Sequence, residues 1–190
     1  MRKWIFVCCL FCVVLFTGCA GSDVLQKTQA AYSRPSVISL ELSMIVSGET
    51  LSSPYTLSQV QRDKSAEFTV LSPDPIRGIT ATVTEADGLT FGGTQMASQS
   101  MPQGYTPFEL AYFAIETLRD GRSATAGKEL VDGKECFLIS KDVTVYEKVL
   151  KANLWLDAAT YQLVKYEFYD DGQRVLEVNV LKFEASQENA

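Results

Sequence analysis

Alternation most constrains what this chain can fold into: run after run of apolar and polar side chains taking turns, each closed by a turn signal. In "SVISLELSMIV" the residues Ile38, Leu40, Leu42, Met44 and Val46 fall on one side, and Ser39, Glu41 and Ser43 on the other. Successive strand residues point to opposite faces, so this run is a half-buried strand. The stretch "NLWLDAATYQLVKYEFYDDGQRVLEV", Asn153 to Val178, repeats the pattern across two corners. At one corner Asp171-Gly172 reads as a hairpin turn, because Asp-Gly tolerates positive φ. At the other, Asp157 ahead of "AAT" reads as a turn whose carboxylate accepts backbone amides. The aspartates thus read as corners of a sheet, not as an acid pair or a metal site. "YTLSQVQ" and "AEFTVLS" flank the polar "RDKS", "GITATVTEA" sets Ile79, Ala81 and Val83 against threonines, and "GLTFGG" follows Asp87-Gly88. "KELVDG" and "KECFLIS" share a hairpin at Asp132-Gly133, and "KANLWLD", "YQLVKYEFY" and "QRVLEVNVLKFE" complete the series. Short runs at such spacing make an antiparallel sheet, not a parallel βαβ layout.

Two segments break the period of two. "SDVLQKTQAAY" reads as a short helix capped by Ser22 or Asp23, with Val24, Leu25, Thr28, Ala31 and Tyr32 on one face, and Pro35 stops it. "TPFELAYFAIETLRDG" is the stronger helix. Thr106 is its N-cap, Pro107 its first residue, Glu109 completes a capping box, and Arg119 and Gly121 mark its end. Phe108, Ala111, Tyr112, Ile115 and Leu118 make an apolar stripe that Leu110, Phe113 and Ala114 widen, leaving Glu109, Glu116 and Arg119 on one edge. A helix so apolar must be covered on most sides. The expected class is therefore α+β: about ten antiparallel strands whose concave face the helices cover or plug.

The N-terminus supplies an address. Met1-Arg2-Lys3 precedes an apolar run from Trp4 to Phe16, shorter than the ~20 residues of a membrane-spanning helix. This is the pattern of a secretory signal. It ends in "LFTGC", and the small Thr17 and Gly18 before Cys19 resemble the lipobox of bacterial lipoproteins. That resemblance implies cleavage before Cys19, lipid on its thiol and acylation of its amine. Two or more acyl chains anchor stably where one does not. The resulting expectation is an extracytoplasmic, lipid-anchored protein, on the outer membrane if the cell has two, because Ala20 is not the Asp of inner-membrane retention. The chain divides into a signal (1–18), a lipidated N-terminus with a short helix (19–35), one domain (36–184) and a tail (185–190).

Losing the signal removes Arg2 and Lys3, leaving 15 basic against 23 acidic side chains, a net −8. With no basic run, this balance argues against nucleic acid and against docking onto anionic lipid. Cys8, Cys9 and Cys12 leave with the signal, so only Cys136 remains beside the lipidated Cys19 and no internal disulfide forms. Cys136, in an alternating strand, reads as a small buried hydrophobe. The chain contains no histidine, which removes Ser-His-Asp and Cys-His catalysis and the usual zinc and copper sites. A paired-carboxylate mechanism needs two acids across a cleft, and nothing marks such a pair. The expectation is a non-enzymatic protein with no catalytic residues, no metal and no cofactor.

The order helix, stop, alternating strand in "LQKTQAAYSRPSVISLELSMIV", and the hairpin series in "LWLDAATYQLVKYEFYDDGQRVLEV", resemble the lipoprotein-carrier superfamily of LolA, LolB and LppX-like proteins. The resemblance spans roughly Val24 to Glu184, as pattern more than as diagnostic residues. It implies an open, unclosed antiparallel β-barrel with helices across its hollow. Members of that group hold acyl chains in the hollow or use the shell to bind another protein. Within it the plan is most similar to the GerS-like germination lipoproteins of spore-forming clostridia, which implies a protein partner, the cortex amidase CwlD. The alternative is a carrier or acceptor for acyl lipid or lipoprotein.

Two sets of residues are candidates for these roles. For a partner surface they are Trp155 and Tyr169, as exposed aromatic anchors, with Met96 and Met101 in the loop 95–105 as a lid or docking loop. In the aromatic cluster Val164, Tyr166 and Phe168 share the core face, against Leu163, Lys165, Glu167 and Tyr169 outside. For a lipid-holding hollow the lining candidates are Phe108, Tyr112, Ile115 and Leu118. A void beneath that helix well under ~300 Å³ would count heavily against a carrier.

Overall fold

A computed structural model describes residues 20–47, 54–92, 94–95, 104–121 and 125–187. Helix α1 (Ala20–Ser33) leads into β1 (Val37–Val46), β2 (Tyr55–Gln61) and β3 (Ser65–Ser72). A 3-10 turn (Asp74–Ile76) precedes β4 (Thr80–Thr84), β5 (Gly88–Phe91) and the two-residue β6 (Thr94–Gln95). Helix α2 (Pro107–Asp120) then carries the chain to β7 (Thr125–Val131), β8 (Lys134–Val145), β9 (Lys148–Asp157), β10 (Leu163–Asp170) and β11 (Gln173–Ser186). All neighbouring strands are antiparallel in one sheet ordered β6-β5-β4-β3-β2-β1-β11-β10-β9-β8-β7. Among the described residues no helix is long and apolar enough to cross a membrane.

The order explains the shape. Each half of the sheet is a meander of hairpins, and the seam between them is the long pairing of β1 with β11. Among the described residues the terminal strands β6 and β7 do not pair with each other, so the barrel is open. Helix α2 connects them and touches β3, β4 and β5 on one side and β8 on the other. It plugs the curled sheet, which is why it is apolar over most of its circumference. Leu110, Ala111, Tyr112, Ala114, Ile115 and Leu118 are all buried on it. Both ends are built as the sequence reads: the capping box of Thr106 and Glu109 is formed, and Gly121 ends the helix at φ 59°.

The strands bury alternate residues. Ile38, Leu40, Leu42 and Met44 are buried on β1, and Leu150, Ala152, Leu154 and Leu156 on β9. Asp132-Gly133 and Asp171-Gly172 both have two consecutive positive φ values, the geometry of tight hairpins. Asp157 accepts the amides of Ala159 (2.8 Å) and Thr160 (3.0 Å), as a turn aspartate should, and these bonds hold its carboxyl below the usual range.

Four local expectations need correction. Helix α1 begins at Ala20, so Ser22 and Asp23 lie within its first turn and do not cap it. Leu163 belongs to the core, at 2% exposure, because the pairing of β10 with β9 shifts between Leu163 and Lys165 and turns it inward. Ala31 is exposed, so the buried face of α1 rests on Thr28 and Tyr32. Ile79 is exposed at 44%, lying ahead of β4, while Ala81 and Val83 are buried as expected.

Candidate functional site

The hollow is not uniformly filled. At the end of the sheet where α2 begins, a half-open cavity of ≈ 300 Å³ remains. β1 contributes Met44 and Val46 to it, β2 contributes Tyr55 and Leu57, β3 contributes Val70, and β5 contributes Phe91. Ile76 and Ile79 line it around the 3-10 turn, and Thr106, Pro107 and Phe108 form the helix side. None of these lining side chains is charged. Apart from the hydroxyl-bearing Tyr55 and Thr106 the walls are apolar, a surface suited to hydrocarbon rather than to an ion. Its volume falls at the lower end of the roughly 300–1,000 Å³ of small-molecule sites.

Phe108 is the structural centre of this wall. Its ring meets Phe68 and Phe91 edge-on, both at 5.3 Å between centroids. The register explains the slot it occupies: Phe68 of β3 pairs with Ala81 of β4, which pairs with Phe91 of β5. A small residue between two rings leaves the gap that the third ring fills.

The helix start is pinned by a buried carboxylate. Glu109, with no exposed surface, accepts from the Thr106 amide (2.8 Å) and the Thr106 hydroxyl (2.8 Å), and its own amide donates to Thr106 Oγ1 (3.3 Å). The hydroxyl of Tyr146, in the turn between β8 and β9, donates to its other oxygen. One residue ahead of the cap, Tyr105 donates to Asp170 (3.1 Å), which also accepts from Lys148 (2.9 Å). The Lys148 ammonium lies 5.4 Å from the Tyr105 ring centre and, with Tyr105, holds the Asp170 carboxyl below its usual range. Burial, reinforced by Asp170, pushes the Tyr105 hydroxyl up to about 12. The cavity wall at Thr106–Phe108 is therefore tied down to two turns from the far half of the sheet.

Further along α2 the surroundings become polar. Gln59 donates to the carbonyl of Ala111 (3.3 Å) and Gln61 to Glu116 (2.7 Å), both glutamines being fully buried. At the last turn Arg119 donates to the carbonyls of Tyr32 (3.3 Å), Arg62 (3.0 Å) and Asp63 (2.9 Å). The cleft there is larger, ≈ 560 Å³, but is edged by Arg34, Arg62, Asp63, Glu116 and Arg119. Burial raises the Glu116 carboxyl despite the neighbouring Arg119. Such a cleft takes water, not a hydrocarbon chain.

The expected lining residues separate. Phe108 lines the apolar cavity. Tyr112 instead edges a second polar cleft of ≈ 450 Å³, beside Glu85 and Tyr146. Ile115 and Leu118, at 0% and 1% exposure, are packed into the core and line none of these spaces. The expectation of an exposed Trp155 is corrected. It points to the convex face yet is only 8% exposed, its indole N–H donating to Glu129 (2.8 Å) and the Lys165 ammonium lying 5.4 Å from its ring centre. Tyr169 is half-buried on the same face and donates to Glu167, which also pairs with Lys165 (2.9 Å) and Arg174 (3.2 Å). Met96, Met101 and Cys19 lie outside the described residues. Cys136 is buried, and burial pushes its thiol up. Among the described residues no group of three or more Cys, Asp and Glu is arranged to hold a metal.

Apart from Phe108, the sequence singled out as lining none of the residues that border the cavity, Met44, Leu57, Val70, Ile76 and Phe91 among them. Alternation marks most of them as inward-facing, but not which inward-facing residues border empty space.

No family model matches the chain, and no curated protein matches it. Solved structures do resemble it. An uncharacterized conserved protein from Thermus thermophilus superposes with a TM-score of 0.50 at 8% identity, covering 88% of each chain. LprF from Mycobacterium bovis gives 0.46 at 15% identity over 88% of this chain and 95% of that one. A LolA superfamily protein from Nitrosomonas europaea gives 0.43 at 10% identity over 90% and 96%. The first of these, at a TM-score of 0.50 and 8% identity, is a likeness of fold alone.

Proposed function

We propose that this protein is an extracytoplasmic, lipid-anchored binding protein that takes one hydrocarbon chain into the cavity beside Phe108. The observation that carries this reading is the cavity itself: ≈ 300 Å³, walled by aliphatic and aromatic side chains, with no charge among them. Its volume does not fall below the limit that would count against a carrier. The other spaces along α2 are edged by charged side chains, so the ligand is a single acyl chain in this one cavity, with its polar end at the mouth, in water. The anchor follows from the lipobox at Cys19, with residues 1–18 as the signal.

A GerS-like role, with a cortex amidase as protein partner, competes with this reading. Of its two expected aromatic anchors, Trp155 is covered, and no further observation favours it. The test is purification of the protein from its native membrane, with mass spectrometry of extracted lipids and of copurifying proteins. An acyl lipid retained near one per protein is the expected result. A stoichiometric protein partner with no bound lipid would overturn the acyl reading.

A further inference from the structure

We infer that Phe108 is the stop that sets how long a chain the cavity accepts, an inference that rests on the acyl-chain reading above. The walls on the sheet side are two rows deep. Met44 and Tyr55 pair across β1 and β2 at the mouth, and Leu57 and Val70 pair across β2 and β3 one step further in. The next inward-facing residues on the latter two strands are Gln59 and Phe68, which pair with each other and do not line the cavity. The space ends at that row, and the ring that closes it belongs to Phe108, seated above Ala81 between Phe68 and Phe91.

Behind the ring the surroundings are hostile to hydrocarbon. Gln59 is fully buried, its amide N–H₂ is engaged with Gln61 (2.8 Å) and Ala111, and its Oε1 has no hydrogen-bond partner among the described residues. An advancing methyl group therefore meets first an aromatic stop and then a buried amide that gains nothing from it. The backbone that carries Phe108 is held in place, and its ring is flanked by Phe68 and Phe91. Phe108 follows Pro107 and precedes Glu109, whose bonds to Thr106 and Tyr146 hold the helix start in place.

The consequence is a length rule. Each methylene buried in the cavity raises affinity about fourfold, from ~0.8 kcal/mol per CH₂, until the chain end reaches Phe108. Carbons beyond that add nothing. The experiment is native mass spectrometry of the full chain incubated with an equimolar series of saturated fatty acids of increasing length. Wild-type protein should show affinity climbing with length and then a plateau. Phe108→Ala should move the plateau out by about two to four carbons, at about fourfold each, with Phe108→Leu in between. Ala81→Val, which raises the floor under the ring, should move it the other way. Phe108→Leu keeps an apolar contact with the sheet and carries the test if the alanine variant does not fold. An unchanged plateau in a folded Phe108 variant would overturn Phe108 as the stop while leaving acyl binding intact. Failure of the wild-type protein to retain any fatty acid would overturn the acyl-chain reading itself.

Discussion

Glu109 shows how much one side chain can carry. It sits at the third position of α2 with no surface in water, and it satisfies the Thr106 amide and hydroxyl and the Tyr146 hydroxyl together. Thr106→Ala removes the cap and should lower unfolding free energy by about 1 kcal/mol. Glu109→Ala leaves a buried hydroxyl and an amide without their acceptor and should cost more, about 2–3 kcal/mol. Urea denaturation of both variants checks the order, and equal losses would contradict the buried network. The capping box was legible because it is local: Thr and Glu three residues apart before an apolar run. Tyr146 was not, since its partner lies 37 residues away. The covered state of Trp155 was illegible for the same reason. Alternation puts its ring on the outer face correctly, but Glu129 and Lys165, which close over it, come from two other strands.

Among the elements, the packing of α1 on α2 turns on one close approach. Gly121 ends α2 at φ 59°, and a Cβ placed there would lie 2.9 Å from Cβ of Gln29 on α1. Gly121→Ala is therefore both strained and crowded, and should destabilise by about 1–2 kcal/mol in thermal or urea unfolding. Gln29→Ala should not rescue it, because the nearest atom is the Cβ that alanine keeps. Full rescue would mean that the contact is only with the flexible end of the glutamine. In the β10–β11 hairpin, Gly172 at φ 80° should lose about 1 kcal/mol on substitution by Ala. Hairpins of this kind were readable because Asp-Gly states its geometry in two letters. Irregular pairing leaves no such mark. The shift within β1–β11 is set by how strands from opposite ends of the chain meet, and the shift within β9–β10, beside their connecting turn, leaves the alternation unbroken in the letters yet turned Leu163 to the core. β8 also runs on to Val145 and turns at Tyr146, a residue pair with Glu147 that carries no turn signature.

For the whole molecule, an open barrel with a helix through it leaves two kinds of space, and chemistry divides them. The clefts along the far part of α2 are edged by charge, whereas the cavity at its first turn is apolar. A strongly apolar helix predicts a covered hollow, and the hollow is there. Where packing stops short depends on ring against ring at Phe68, Phe91 and Phe108, a three-dimensional fit that no local pattern encodes. The outer shell predicts a loss of stability in acid. Burial pushes the Glu167 carboxyl up, but Tyr169, Lys165 and Arg174 together outweigh it and hold it below its usual range. A carboxyl depressed on folding contributes stability that is present above its unfolded pKa and lost as pH falls through its folded one. Stability should therefore decline below about pH 4, near the ordinary Glu value, and Glu167→Gln should flatten that decline in thermal unfolding followed against pH. A decline of equal steepness in the variant would place the acid response elsewhere. Binding of a neutral chain, by contrast, should not respond to salt, since no charge lines the cavity.

The most direct measurement is photo-crosslinking of the full chain with a fatty acid bearing a diazirine near its methyl end, followed by peptide mapping. A chain end seated in the cavity should label residues around Leu57, Val70, Phe91 and Phe108. Labelling confined to the polar clefts or the convex face, or none above background, would contradict the account.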